Sequence, residues 1–164
     1  MSAFPQPFSF VVLDACHQQI EMHLAELASL AQAIEASGVD AKARHRANAI
    51  AVFFSGNARR HHAQEESQVF PALLDSADAE LIVAVEKLAQ DHGWIEENWL
   101  ELAPQLRAIA AGNNWVDASE FQHYVEVFVT LYQSHIELEE TLIYPQAKAR
   151  LAPTGEALLR PQHP

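Results

Sequence analysis

The sequence predicts an all-α protein, an up-down-up-down antiparallel four-helix bundle. Apolar residues make up 49% of the 164 positions and glycine only five, while Ala, Leu, Glu and Gln abound, a composition that favours helix. Apolar side chains recur at alternating steps of three and four in four long stretches, as on the inner face of a bundle helix. Short turns separate these stretches, so consecutive helices are expected to be antiparallel neighbours.

The first helix is predicted near residues 9–36, where Ser37-Gly38 ends it. Its inner stripe is Leu13, His17, Ile20, Leu24, Leu27, Ala31 and Ile34.

The second helix is predicted as one span from about Ala41 to Leu74, followed by a turn and cap at Ser76 to Asp78. Its stripe carries polar as well as apolar residues, namely Phe54, Ala58, His61, Glu65 and Gln68.

The third helix contains Pro104, which should kink it or split off its last turn because proline lacks a backbone N–H. Its stripe is Leu81, Val85, Leu88, His92, Ile95, Trp99, Leu102 and Leu106.

The fourth helix is predicted from about Asp117 to Arg150, after the break at Gly112-Asn113-Asn114. Its stripe is Tyr124, Phe128, Leu131, His135, Glu139 and Leu142. Residues 1–150 then form one bundle domain, and residues 151–164, which are rich in proline, are predicted to be a loose tail.

Charge and cysteine content exclude several classes of function. A net charge of −12, from 22 acidic and 10 basic residues, argues against nucleic-acid and anionic-membrane partners. The single cysteine, Cys16, excludes an intramolecular disulfide and a thiolate zinc cluster. The first residues lack the basic region of a signal peptide, and no apolar run approaches the roughly 20 residues of a membrane span. A cytoplasmic protein is expected.

One eleven-residue pattern occurs twice. His61–Pro71 reads HHAQEESQVFP and His135–Pro145 reads HIELEETLIYP, so both follow the frame H-x3-EE-x3-[FY]-P. Positions four apart lie on one face of a helix, so each histidine and the first glutamate of its frame can reach one point. Imidazole and carboxylate donors from two helices are typical ligands of a transition metal.

Two further histidines fall at the same level of the bundle. His17, His61, His92 and His135 each lie 18 to 20 residues from the same end of their helices. At a rise of about 1.5 Å per residue, that distance is roughly 27–30 Å for all four. Each also belongs to its inner stripe, so the bundle is predicted to bring all four imidazoles together.

The predicted metal ligands are therefore His17, His61, Glu65, His92, His135 and Glu139. The alternative for any one histidine is a core residue bonded to a neighbouring polar group, but six polar groups at one level would be costly without a cation. Glu21 and Glu96 follow His17 and His92 by four residues and are candidates for additional ligands or outer-shell partners. An ordinary solvated position is the favoured interpretation for both.

The remaining histidines are predicted to be surface residues. His62 follows His61 by about 100° around the helix, so it should point to a flank or to solvent. The others leave the inner stripes or lack partners in the pattern: His23, His45, His123 and His163.

Histidine and carboxylate donors without thiolate suit iron, manganese or zinc. Two glutamates from two helices can bridge a pair of metal ions, which leaves about two histidines for each ion. Water, hydroxide or an oxo group would complete the shells, and such open positions are where a small ligand binds.

The order His17, His61-x3-Glu65, His92, His135-x3-Glu139 on four helices resembles the hemerythrin-like (HHE cation-binding) family over about residues 10–147. The resemblance implies a four-helix bundle with two iron ions, a non-haem di-iron centre bridged by Glu65, Glu139 and a solvent-derived oxygen. Members of that family bind dioxygen reversibly, handle nitric oxide or peroxide, sense oxygen or iron, or help to repair iron centres.

Two departures from the oxygen carriers of that family shape the expected function. Those carriers have a histidine where this chain has Glu96, and they place an aspartate at a longer spacing where it has Glu139. We therefore expect a stand-alone di-iron protein that binds or reacts with a small oxidant such as dioxygen, peroxide or nitric oxide. The alternatives are a storage or buffering protein for iron or zinc without redox chemistry, and a purely structural bundle.

Overall fold

The bundle has four lengthwise segments, here called arms, which correspond to the four predicted helices. Two of the arms are unbroken helices. A computed structural model describes residues 9–113 and 115–155, apart from the side chains of 152–155. The first arm is α1 (Phe10–Ser37), which ends, as predicted, where Gly38 adopts φ 74°. The third arm is α5 (Ala79–Ala110), whose first turn is capped by the side chain of Asp78. Together they supply two opposite corners of the bundle.

Pro104 does not split the third arm, because α5 continues through it to Ala110. The carbonyl left without its helical partner, four residues back, belongs to Leu100, which is 60% exposed. Water can solvate that carbonyl, while the buried side chains of Leu102 and Leu106 hold the segment against the core. Of the two outcomes expected at Pro104, a kink or loss of the last turn, the second is therefore wrong.

The second and fourth arms are segmented. The second comprises α2 (Ala41–Ser55), α3 (Asn57–Gln64), a π-helical turn (Glu65–Val69) and α4 (Phe70–Leu74). The fourth comprises α6 (Ala118–Leu138), a second π-helical turn (Glu139–Ile143) and α7 (Tyr144–Gly155). The predicted span of the second arm is right, but its continuity is wrong, since Gly56 leaves the helical region with φ −117° and ψ −84°.

The prolines of the repeated frame explain the two π-helical turns. Pro71 and Pro145 are the second residues of the helices that follow, where a missing N–H costs little. A proline ring clashes with the carbonyl four residues back, and a wider turn relieves that clash. In each turn the backbone N–H of the aromatic residue bonds to the carbonyl five residues back, Phe70 to Glu65 and Tyr144 to Glu139.

The fourth arm is longer than predicted, since α7 runs to Gly155 rather than ending at 150. Residues 156–164, with most of the predicted tail and His163, lie outside the described residues. Among the helices that the structure describes, none is long and apolar enough to cross a membrane.

The four arms pack in a ring in which α1 contacts α2 and α6, and α5 contacts the same two helices. Two separate apolar clusters fill the interior. The larger contains Ile20, Trp99 and Phe128, and the smaller contains Leu13 and Leu88 toward the other end of the bundle. Along the first three arms the predicted ligands fall between the residues of the larger and the smaller cluster; on the fourth, Glu139 does so, while His135 lies next to Ile136 of the larger cluster. The fold therefore places a polar layer between two apolar cores.

Candidate metal centre

The polar layer contains the buried charged and polar residues of the described chain. All six predicted ligands are among them, each no more than 6% exposed. The set consists of His17, His61, Glu65, Asp91, His92, His135 and Glu139. The sequence predicted that the four histidines lie at the same height along the bundle, and in the structure their side chains do come together in its interior.

Each repeated frame brings its own histidine and glutamate together. His61 Nε2 lies 3.4 Å from Glu65 Oε1, and His135 Nε2 lies 2.8 Å from Glu139 Oε1. Both glutamates open a π-helical turn, whose wider backbone starts directly after the helical spacing that aligns the pair. The helix before the turn thus sets the contact, and the turn accommodates the proline after it.

The histidines of the unbroken arms join the opposite frames. His17 Nε2 lies 3.6 Å from Glu139 Oε1, and His92 Nε2 lies 3.4 Å from Glu65 Oε1. His92 Nε2 also lies 3.1 Å from His135 Nε2. Two unprotonated ring nitrogens cannot hydrogen-bond to each other. Two ligands of one octahedral ion, each at about 2.1 Å from the ion, stand about 3.0 Å apart, close to the distance between these nitrogens.

The two central carboxylates lack the hydrogen bonds that burial normally requires. Neither oxygen of Glu139 and only one oxygen of Glu65 has a hydrogen-bond partner among the described residues. A buried carboxylate without compensation is expensive, whereas a cation would satisfy it. The residues present therefore fit a bound metal.

The donors form two groups of four, with the ligand atoms of each group within 4.8 Å of one another. We call them group one (His62, Glu65, His92 and His135) and group two (His17, His61, Glu65 and Glu139). Glu65 belongs to both groups. Group one has three imidazoles and one carboxylate, and group two has two of each.

His62 corrects the sequence analysis, which placed it toward a flank or solvent. Its ring stacks on that of His92, with centroids 4.0 Å apart, and its Nε2 lies 3.1 Å from the Tyr132 hydroxyl. A turn of about 100° from His61 moves it from group two toward the neighbouring α5 and α6 rather than out of the bundle. In a ring of four arms, adjacent residues of one helix can therefore serve two adjacent sites.

Three acidic residues contact the outer nitrogens of the histidines, and the sequence analysis did not assign them. Glu66 Oε1 lies 3.0 Å from His92 Nδ1, and Glu140 Oε1 lies 3.4 Å from His17 Nδ1. Asp91 Oδ2 lies 3.5 Å from His135 Nδ1. The Glu66 contact is a hydrogen bond of the kind that orients a ligating ring, whereas Nδ1 of His17 and Nδ1 of His135 have no hydrogen-bond partner among the described residues. In the sequence, the repetition of a second glutamate in both frames, Glu66 and Glu140, was the signal that could have identified two of these contacts.

Neither candidate for an additional ligand belongs to a donor group. Glu96 forms a half-exposed ion pair with Arg59, and its Oε2 accepts a hydrogen bond of 3.2 Å from Arg59 Nε. Glu21 is exposed. Of the histidines predicted at the surface, His45 and His123 are exposed. His23 is instead half-buried, because its ring stacks on Phe53 with centroids 3.9 Å apart.

Burial favours the neutral, metal-binding form of three imidazoles in the donor groups. It lowers the pKa of His61 to about 4 and also lowers the pKa of His62 and His135. At His92 the contacts with Glu65 and Glu66 outweigh burial and raise the pKa. Burial alone would raise the pKa of Glu65, but the surrounding imidazoles lower it below its ordinary value. Neutral imidazoles beside an ionised carboxylate are the forms that coordinate a cation.

The fold and the donor groups define a class of protein, a helical bundle with a centre built for cations. The chain belongs to the hemerythrin HHE cation-binding domain family, whose model matches residues 10–147. It is also similar to a protein of Haemophilus influenzae described as an uncharacterized protein, with 29% identity over 132 residues, 80% of this chain and 74% of that protein.

Proposed function

We propose that the chain is a non-haem di-iron protein that binds or reacts with a small oxidant, namely dioxygen, peroxide or nitric oxide. The observation that carries the proposal is the membership of Glu65 in both donor groups. A carboxylate has two oxygens and can bind an ion with each, so a shared glutamate supports two adjacent ions. A single structural ion would need only one of the groups.

Glu139 supports the same arrangement. It belongs to group two, yet its Oε1 lies 2.8 Å from Nε2 of His135, a member of group one. Both glutamates therefore stand between the two groups, as expected of bridging ligands. The five imidazoles divide as three for group one and two for group two.

Iron is the proposed metal because the donors are imidazoles and carboxylates without thiolate, a set that suits an ion of intermediate hardness. Manganese and zinc share part of that preference, but of these two zinc has no redox chemistry. Bound iron would supply electron transfer to an oxidant. The chain contributes neutral imidazoles, the two carboxylates and the exclusion of bulk water by the apolar clusters on both sides.

A small cavity beside group one supports a small ligand. Its volume is about 10 Å³, close to the space that one water molecule needs. His62 and Tyr132 line it on the side of the metal groups, aromatic residues including Phe54 and Trp99 form its walls, and the Arg59–Glu96 ion pair borders it. A space of that size admits a small molecule at most, and a wider groove of about 360 Å³ lies on the other side, against His61 of group two.

The test is metal analysis and optical spectroscopy of protein from iron-supplemented cells. We expect two irons per chain, near-ultraviolet charge-transfer bands, and rapid oxidation of the diferrous protein in stopped-flow mixing with peroxide or nitric oxide. The exposed His45 offers a matched control, since His45→Ala should leave iron content and spectrum unchanged.

One result would contradict the proposal, and another would narrow it. Zinc as the bound metal, without oxidant chemistry, would indicate a storage or buffering protein. A stable and reversible dioxygen adduct would select binding over reaction and indicate a carrier rather than an oxidant-reactive protein.

A further inference from the structure

The hydroxyl of Tyr144 lies among the donor atoms of group two. Its Oη stands 3.1 Å from His17 Nε2, 3.3 Å from His61 Nε2 and 2.9 Å from Glu65 Oε2. The residue is the aromatic position of the second repeated frame, directly after the π-helical turn. Phe70 holds that position in the first frame, so only group two has a hydroxyl there.

Hydrogen bonding accounts for two of these three contacts, because the hydroxyl can donate to Glu65 Oε2 and accept from the Nε2–H of a neutral His61. The hydroxyl has a single proton, which it donates to Glu65 Oε2. Glu140 Oε1 lies 3.4 Å from His17 Nδ1 without forming a hydrogen bond, and its negative charge favours the proton on that nitrogen; in this tautomer Nε2 of His17 carries a lone pair. That lone pair faces an oxygen lone pair of Tyr144. The close approach of His17 therefore requires another explanation.

A shared cation explains all three contacts. Ligands at about 2.1 Å from one octahedral ion stand about 3.0 Å apart, which matches the range of distances around Oη. The ring is also fixed in place, since it stacks on His17 with centroids 4.7 Å apart and an interplanar angle of 11°. The hydroxyl thus occupies one corner of the coordination shell that His17, His61 and Glu65 outline.

We propose that Tyr144 is a further protein ligand of the metal ion in group two, bound as a phenolate. The inference rests on the proposed function, because it requires iron at group two. On binding, the O–H bond of the phenol breaks, an iron–oxygen bond forms and the proton is released to the buffer. No electron is transferred in this step.

The metal-free protein keeps this tyrosine protonated. Burial and the neighbouring carboxylate of Glu65 raise the pKa of Tyr144 well above its usual value. A cation reverses the sign of the local field and stabilises the phenolate, as metal ions do for bound water and thiols. Phenolate ligation is therefore expected only in the loaded protein, and more strongly with ferric than with ferrous iron.

The experiment compares the iron-loaded, oxidised wild type with Tyr144→Phe and with the matched control Tyr132→Phe. Tyr132 is equally buried but contacts His62 of group one. We expect a visible phenolate-to-iron charge-transfer band in the wild type and in Tyr132→Phe. In Tyr144→Phe the band should be lost while the iron content and the near-ultraviolet bands are retained.

Resonance Raman spectra with ring-deuterated tyrosine identify the phenolate independently of any variant. In the wild type, excitation within the visible band should enhance tyrosine ring modes that shift with the label. The chain has three tyrosines, so if Tyr144→Phe fails to fold, retention of the band in Tyr132→Phe and Tyr124→Phe still assigns it to Tyr144.

The outcomes separate the two proposals. Two irons per chain without a phenolate band, or with a band that Tyr132→Phe or Tyr124→Phe removes, overturn the assignment to Tyr144 and leave the di-iron function standing. Absence of bound iron overturns both. A band that only Tyr144→Phe removes confirms the ligand.

Discussion

The two repeated frames have the same sequence pattern and the same backbone, yet they surround the metal groups with different chemistry. In each, a histidine and a glutamate four residues apart meet, and a π-helical turn with a proline follows. The first frame adds a second imidazole, His62, and ends in Phe70. The second frame has Ile136 and Tyr144 at those positions. The residues beside the frame, rather than the frame itself, make the two groups unequal.

The inequality has a functional meaning. Group one has three imidazoles and adjoins a small cavity, where the proposed function would place an exogenous ligand. Group two has two carboxylates and the Tyr144 hydroxyl nearby, so it has the more negative set of donors. Negative oxygen donors stabilise a higher oxidation state, while imidazoles tolerate a lower one. Two ions in these groups should therefore differ in how easily they are oxidised.

The largest expected effect separates the two glutamates. Glu65→Ala should abolish binding of both ions because Glu65 belongs to both groups, whereas Glu139→Ala should spare the ion held by the three histidines of group one. Metal analysis after dialysis against a weak chelator measures the difference. Equal iron content in the two variants would contradict the division into two groups.

Removal of the metal should be the next largest effect. An ion that binds only the folded bundle at about 1,000 times its dissociation constant adds about 4 kcal/mol to the free energy of unfolding. For a chain of this size, chelation should lower the melting temperature by roughly 10 °C. Calorimetry before and after verified removal provides the measurement. An unchanged melting curve would count against an internal site.

The metal-free protein should lose stability in acid through the first frame. His61 Nδ1 has no hydrogen-bond partner in the described chain, and the pKa of His61 is about 4 in the folded protein against 6.5 ordinarily. The unfolded chain therefore takes up the proton first. This contribution to stability is complete above pH 6.5 and is lost as the pH falls toward 4, a loss of roughly 3 kcal/mol.

Denaturant melts of the chelated protein across that pH range measure the slope. His61→Gln should flatten it, and His45→Gln should not, because His45 is exposed. In the second frame, Asp91 near His135 Nδ1 offsets part of the effect of burial on the pKa of His135. A slope that survives in His61→Gln would assign the acid sensitivity elsewhere.

Loss of His62 should have a moderate effect that is confined to group one. His62→Ala should weaken metal binding by at least the 10- to 100-fold that loss of an outer-shell partner costs, about 1.4–2.8 kcal/mol. His23→Ala is the matched control, since His23 is half-buried against Phe53 and belongs to neither group. Competition with a chromophoric chelator measures the affinity. Equal affinities for the two variants would indicate that His62 only packs against its neighbours and does not bind the metal.

The smallest effect is expected at Glu96. Its ion pair with Arg59 is half-exposed, and such pairs contribute roughly 0–1 kcal/mol. Glu96→Ala should leave the iron spectrum unchanged, whereas an immediate spectral change would place Glu96 on the metal. Glu96→His supplies a neutral donor beside group one and should slow autoxidation of the diferrous protein, which stopped-flow oxidation of both variants and the wild type measures.

Helix positions and the level of the site follow from the sequence because both depend on regular geometry. Constant rise and periodicity placed His17, His61, His92 and His135 together, and the contacts in the structure confirm that meeting. The break at Gly56 and the π-helical turns were not predicted, because they depend on the local backbone conformation and not on the periodicity of the side chains. The frame's proline was nevertheless a usable signal for a wide turn.

The role of individual side chains beyond the frame was harder to predict. A helical wheel treats His62 as turned away from the site, but it does not show that a neighbouring arm lies in that direction. Glu66 and Glu140 likewise sit on exposed stretches of their arms and reach histidines of other arms. Such contacts between helices depend on the rotation of each helix, which periodicity alone does not fix.

The buried polar layer also divides the bundle into two parts that need not open together. Apolar contacts favour cooperative unfolding, and this layer interrupts them between the larger cluster and the smaller cluster. The smaller cluster includes the short helix α4 and the start of α7, directly beyond the two π-helical turns. Local opening of this end would expose the donors of the centre while the larger core stays folded. Such an opening would give a metal ion a route into the interior, and an ion bound at the centre would in turn oppose the opening.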